Sequence, residues 1–305
     1  MMTNEERKQK VREAGDRRVA IATAMLSAHA GKNAAQLGEH FADDAESTWV
    51  DHAPAVAAKG RQQVLQLWDP LWKAASDLAA RPALILANEN HVVAFATLVG
   101  KQGSGRELAL GAAFSLYFAD WEKADHRVRC EELFLDQATL EGQPGAPPPN
   151  RGAAAMAGIG AAQASHVSSD ADAERIHLAV VNAMNTGLKI RELDGPLAHY
   201  ADDAVLRRLS EPADQVGKAA IRKSLEDMFA MSSDAKLERI YAWCADRWVV
   251  AEYKWAGTND GALPGGKPAT GKSFALRELH LFEIVADKIK QQWIFGQSFE
   301  RISSA

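Results

Sequence analysis

Apolar positions along this chain change period in the same order in both halves. In Arg17–His29 ("RRVAIATAMLSAH") and again in Ala173–Gly187 ("AERIHLAVVNAMNTG") they recur at spacings of three and four, which predicts amphipathic helices. A short second helix follows each, then an extended piece, then a helix opened by Gly60 or Gly217. From there each half turns to period-two alternation, the mark of strands. The first half offers "RPALILANENHVVAFATLVG", "ELALGAAFSLYFADW" and "HRVRCEELFLDQ"; the second offers "LERIYAWCADRWVVAEYKWAG", "KSFALRELHLFEIV" and "DKIKQQWIFGQSFE".

The halves also share short motifs. "HFADDA" (His40 to Ala45) returns as "HYADDA" (His199 to Ala204), "AKGRQQV" as "VGKAAI", and "HVVAFATLVG" as "RWVVAEYKWAG". The offset stays close to about 158 residues throughout, so the chain reads as two copies of one domain. Helices followed by an antiparallel meander predict α+β domains, each with N-terminal helices packed on a curved sheet that encloses a cone-shaped apolar pocket. Residues 15–143 and 172–305 are assigned to the copies. Residues 144–171 are rich in Pro, Gly and Ala and read as a flexible or partly extended linker. At up to roughly 3.3 Å per residue it is long enough to let the copies pack as an intrachain pseudo-dimer. Further homo-oligomerisation is a possible addition.

Composition narrows the function. With 47% apolar and 25% charged residues the chain has the means for a real core. A net charge of −5 without a basic run argues against nucleic acid as partner. No apolar run approaches membrane-spanning length and the N-terminus has no apolar signal segment, so a cytoplasmic location is expected, with no membrane partner. Cys130 and Cys244 read as two buried thiols, no Cys/His spacing suits a metal, and "GALPGGK" lacks the strand–helix setting of a phosphate loop. No cofactor is implied.

Several residues carry possible chemistry. In "EELFLDQATLEGQ" strand alternation puts Glu132, Phe134 and Asp136 on one face and Glu131, Leu133 and Leu135 on the other. Glu132 and Asp136 fit either a solvated strand end or an acid held in an apolar pocket, where lost hydration favours proton exchange. Tyr117 could turn its hydroxyl to a carbonyl oxygen or sit in the core with its hydroxyl at the rim. Trp49, Trp68 and Trp72 fit core packing or cavity lining. In the second copy Glu278 and His280 share a strand face with Phe282, as a catalytic acid–imidazole pair or a cross-strand ion pair.

Asp246–Trp293, with its Gly-Thr turn, Thr-Gly-Lys hairpin and final "DKIKQQW" strand, resembles the SnoaL-like polyketide cyclase family of the nuclear-transport-factor-2-like superfamily; "EELFLDQATLEGQPG" resembles that family's last strand. The resemblance implies cofactor-independent general acid–base chemistry, as lyase, cyclase or isomerase, on a small and mostly apolar carbonyl compound. It places Asp136 as the acid/base and His52, of "WVDHAP", at the cavity mouth as an oriented base or a packed loop histidine. Matching Gln292 to Glu132 and Gly296 to Asp136 makes the first copy the active candidate, with Glu132, Tyr117, Trp49 and Phe134 around its pocket. The second then reads as degenerate, with Glu278, His280 and Trp293 around its own. The alternative is a non-catalytic tandem module that binds a small apolar ligand or a protein.

Overall fold

The computed structural model describes residues 3–50, 56–75, 77–119, 125–135, 151–159, 164–169, 171–263 and 266–296. The chain divides into two compact units, Met1–Ser169 and Asp170–Ala305. Both are α+β, as the pattern predicts.

In the first unit helix α1 (Asn4–Ala30) opens on a capping box, Thr3 to the Glu6 amide and the Glu6 carboxylate back to Thr3. Helices α2 (Ala34–Glu39) and α3 (Arg61–Ala74) complete the layer over the sheet. The strands are β1 (Phe41–Trp49), β2 (Val56–Lys59), β3 (Ala79–Ala87), β4 (His91–Lys101), β5 (Glu107–Phe118), β6 (Val128–Leu135) and β7 (Ala164–Val167). Their order in the sheet is β2-β1-β6-β5-β4-β3-β7, with β1 parallel to β6. The helix-facing core takes alternate residues: Ala94, Ala96 and Leu98 of β4, Leu110, Ala112 and Phe114 of β5, Leu133 and Leu135 of β6.

Of the segment read as a linker the structure describes residues 151–159, 164–169 and 171, and the first two stretches carry packed elements. Helix α4 (Arg151–Ala157) packs on β5, and β7 runs parallel to β3 with Ile85 beside Ser165. Small residues make this docking possible. A methyl group at Gly152 would lie 2.1 Å from the Gly111 nitrogen, and one at Gly15 of α1 would lie 2.4 Å from a Val167 methyl. The Gly/Ala content read as flexibility is here what lets helix and strand backbones approach closely.

The second unit repeats the plan with helices α5 (Asp172–Lys189), α6 (Asp194–Ala198) and α7 (Gly217–Ala230). Its strands are β8 (Tyr200–Arg208), β9 (Gln215–Val216), β10 (Lys236–Ala245), β11 (Trp248–Thr258), β12 (Ser273–Val285) and β13 (Lys288–Gly296), ordered β10-β11-β12-β13-β8-β9. Gly60 and Gly217 adopt φ of 88° and 81° at the same turn into a helix, a conformation glycine enters without strain. The repeated Asp-Asp motif is also structural. Asp43 pairs with Arg61 at 2.5 Å and Asp44 with Arg129 at 2.6 Å, while Asp202 pairs with Lys218 at 2.8 Å and Asp203 with Lys290. The cations stand at corresponding places in the two units, Arg61 and Lys218 in the first turn of a helix and Arg129 and Lys290 on a strand, so the most recognisable repeat in the sequence is a pair of exposed ion bridges.

Candidate functional site

Strand pairing gives the exact correspondence between the copies. Glu131 lies beside Ser47 on the parallel neighbour, and Gln292 lies beside Leu206 on its own; Leu133 faces Phe114 as Ile294 faces His280. The counterpart of Glu131 is therefore Gln292, and that of Glu132 is Trp293. The sequence match was one residue out of step, and in a strand one step exchanges the two faces.

In the second unit the inward face of the sheet carries a chain of hydrogen bonds. Tyr200 donates to Gln292 Oε1 at 2.5 Å, Gln292 Nε2 donates to His280 Nδ1 at 3.1 Å, and His280 Nε2 lies 3.1 Å from Glu278 Oε2. Arg208 Nη1 donates to Glu278 Oε1 at 2.6 Å. A donor at Nδ1 and a carboxylate at Nε2 fit one neutral tautomer, with the proton on Nε2. Burial pushes the His280 pKa down, more than Glu278 pushes it up, so the ring is neutral at pH 7. Burial would raise the Glu278 carboxyl, but Arg208 and His280 prevail and hold it at about 2. Tyr253, whose ring lies 4.7 Å from His280, accepts a 2.5 Å bond from Asn185. Met184, Leu206, Met228, Trp255 and Ile294 supply the apolar wall of a cavity of about 30 Å³. That is roughly the space of one water.

The first unit fills the same region differently. His29 of α1 lies 3.8 Å from Trp68 and 5.8 Å from Phe114, and Trp68 lies 5.5 Å from Trp49, measured between ring centres. Ala112, Phe114 and Trp49 stand where the second unit has Glu278, His280 and Arg208. Among the described residues one acid remains there, Glu131, fully buried and bonded to the Ser47 hydroxyl at 2.8 Å. Burial raises its pKa to about 7, against smaller opposing pulls from the Ser47 bond and the Trp68 indole, whose N–H misses hydrogen-bond geometry. Burial also holds His29 neutral, with a pKa near 3. The ring nitrogens of His29, the indole nitrogens of Trp49, Trp68 and Trp72, and Glu131 Oε1 find no protein partner among the described residues. Each such group costs about 1–3 kcal/mol.

The expected residues fall unevenly. Asp136 and His52 lie outside the described residues. Trp49 is buried in the first core. Glu132, Tyr117 and Phe134 do not: they occupy the opposite face, where Tyr117 stacks on His91 at 4.1 Å and reaches Glu132 at 3.4 Å, and His91 bonds Ser115 at 2.8 Å. Glu278 and His280 line the second cavity, whereas Trp293 is on the other face beside Trp248. Tyr200, Asn185, Arg208, Glu131 and Ser47 were missed. Tyr200 had a signal, since "HYADDA" replaces the Phe41 of "HFADDA" with a hydroxyl-bearing ring.

Residues 178–300 match the family described as SnoaL-like polyketide cyclase, and residues 22–123 match the family described as SnoaL-like domain. Among solved structures, a provisionally assigned SnoaL-like polyketide cyclase from Jannaschia sp. CCS1 is 14% identical, with a TM-score of 0.40, over 44% of this chain and 94% of that one. An NTF2-like protein of unknown function from Burkholderia pseudomallei is 14% identical, with a TM-score of 0.36, over 42% of this chain and 95% of that one. A protein with a ketosteroid isomerase-like fold from Catenulispora acidiphila, in complex with trimethylamine, is 18% identical, with a TM-score of 0.33, over 38% and 83%. No curated protein matches the chain.

Proposed function

We propose, for a chain that belongs to the SnoaL-like family and carries two tandem copies of its domain, a cofactor-independent cyclase- or isomerase-type activity that moves a proton on a small, mostly apolar carbonyl compound in the second domain. The observation that carries this reading is the Arg208–Glu278–His280–Gln292–Tyr200 chain on the inner face of an apolar cone. A buried ion pair is seldom the cheapest way to stabilise a core, so its presence there favours a chemical role. His280 Nδ1 takes the proton next to the carbonyl once the Gln292 amide swings away. Glu278, kept ionised by Arg208, steadies the imidazolium that results. The freed amide of Gln292 and the Tyr253 hydroxyl donate to the developing enolate oxygen. The cavity is small, and entry relies on Met184 and Met228, whose unbranched side chains re-pack at little cost.

The test is α-proton exchange in D₂O, followed by NMR on 2-indanone and 1-tetralone. Wild type should accelerate exchange, and His280→Gln should lose on the order of a hundredfold of that. Equal rates for the two would replace this reading with the second one, a tandem binding module. That alternative draws on the first cone, which Trp49, Trp68, Trp72 and Phe114 fill with rings.

A further inference from the structure

Away from both cones, on the outer face of the first sheet, β3, β4 and β5 end in a row of small side chains. Register sets Ala79 beside Val99 and Val99 beside Ala109, all on the face opposite Ala96, Leu98 and Leu110 of the core. Such short side chains leave a trough. Helix α4 closes one side of it: Gly152 presses on the β5 backbone, and the next residue, Ala153, joins the wall. The result is a cleft of about 640 Å³, within the range that holds a metabolite-sized molecule.

Its charged groups are unbalanced. Arg81, Lys101 and Arg106 line it with Asp77 and Glu107. Asp77 already accepts the Lys101 backbone amide at 2.6 Å. Among the described residues neither Arg81 nor Lys101 has an ion-pair partner. The rim thus carries one more cation than anion over an apolar floor, with Glu107 directly across the strand pair from Lys101, on a chain whose net charge is −5. The second domain does not repeat it. Lys236, Ala256 and Ala275 replace the row of Ala79, Val99 and Ala109, which puts a lysine in the floor.

We infer that this cleft is a binding site for a small amphipathic anion, a flat apolar body on the Ala79–Val99–Ala109 row with a carboxylate or sulfonate toward Arg81 and Lys101. Because Ala153 lies on α4, an occupant bridges the sheet and α4 and holds that helix in place.

The probe is 8-anilinonaphthalene-1-sulfonate, titrated into the full chain by fluorescence, with its uncharged relative N-phenyl-1-naphthylamine alongside. The sulfonate should bind at one site, bind at least about tenfold more tightly than the neutral compound, and slow proteolysis within residues 151–169. Arg81→Glu with Lys101→Glu, both at exposed positions, should weaken it at least about tenfold, and Ala153→Trp should abolish it by filling the trough. Absence of binding at millimolar probe, equal affinity for the neutral compound, or binding that survives the charge reversal would each overturn the inference. If Ala153→Trp does not fold, the exposed double variant still decides. None of these readouts involves turnover, so they stand apart from the acid–base reading of the second cone.

Discussion

Glu131 on β6 and Gln292 on β13 occupy one and the same position in the two sheets, each beside the parallel first strand of its unit, at Ser47 and Leu206 respectively. One is a carboxyl whose pKa is raised to about 7, the other its neutral isostere within a bonded chain. The folded-state pKa of Glu131 exceeds the ordinary 4.5, so the native state binds more protons than the unfolded state between those values. Stability therefore falls as pH rises from 4.5 through 7 and stays lower above. Glu131→Gln should stabilise the protein at pH 8 by on the order of 3 kcal/mol, and the gain should vanish below about pH 4.5. Denaturant unfolding at the two pH values checks it; a gain that does not depend on pH would mean that the carboxyl is not the source.

Removing Arg208 should expose how much Glu278 depends on it. Arg208→Met leaves a buried carboxylate facing only a neutral ring, at a cost of about 3–5 kcal/mol. Adding Glu278→Gln should recover most of that loss, because the uncompensated charge goes. Thermal unfolding of the two variants beside wild type reads the coupling; a double variant no more stable than the single would refute it.

The pH profile of any turnover follows from His280. Its pKa lies below the usual 6.5, so the ring is deprotonated and able to act as base throughout the neutral range. The rate should be flat from about pH 7 upward and fall on the acid side with a midpoint below 6.5. A midpoint above 6.5 would point to another group.

Gly152→Ala addresses the joining segment. Its added methyl meets the Gly111 nitrogen at 2.1 Å, so α4 must lift from β5. Residues 151–169 should become the first sites of limited proteolysis while the core around Trp68 keeps its near-ultraviolet dichroism. Unchanged cleavage would show that α4 is not held by this contact.

The duplication, the α+β class and the helix–meander order were legible because they rest on periodicity and on motifs such as Asp43-Asp44 and Asp202-Asp203, which recur whole. The site was less legible, for two physical reasons. A strand alternates its faces, so a one-residue slip between Glu131 and Glu132 moved attention from the buried carboxyl to one bonded to Tyr117 on the far side. And the members of the second network come from separated strands: Arg208, Glu278 and Gln292 are brought together only by the pairing of β8, β13 and β12. The same register explains why Gly296 is glycine. It lies opposite Glu278, and a methyl there would sit 2.8 Å from the Arg277 carbonyl, so Gly296→Asp would strain the strand before it could restore an acid.

The strand β7 also bears on how a chain with two similar halves assembles. Without it β3 would present an open edge, and an open edge is a template for any matching strand, including those of the other half. During synthesis Val167 emerges before any strand of the second domain does. The first sheet can thus be sealed along β3 before its look-alike appears, which guards against the exchange of strands between neighbours to which duplicated domains are prone.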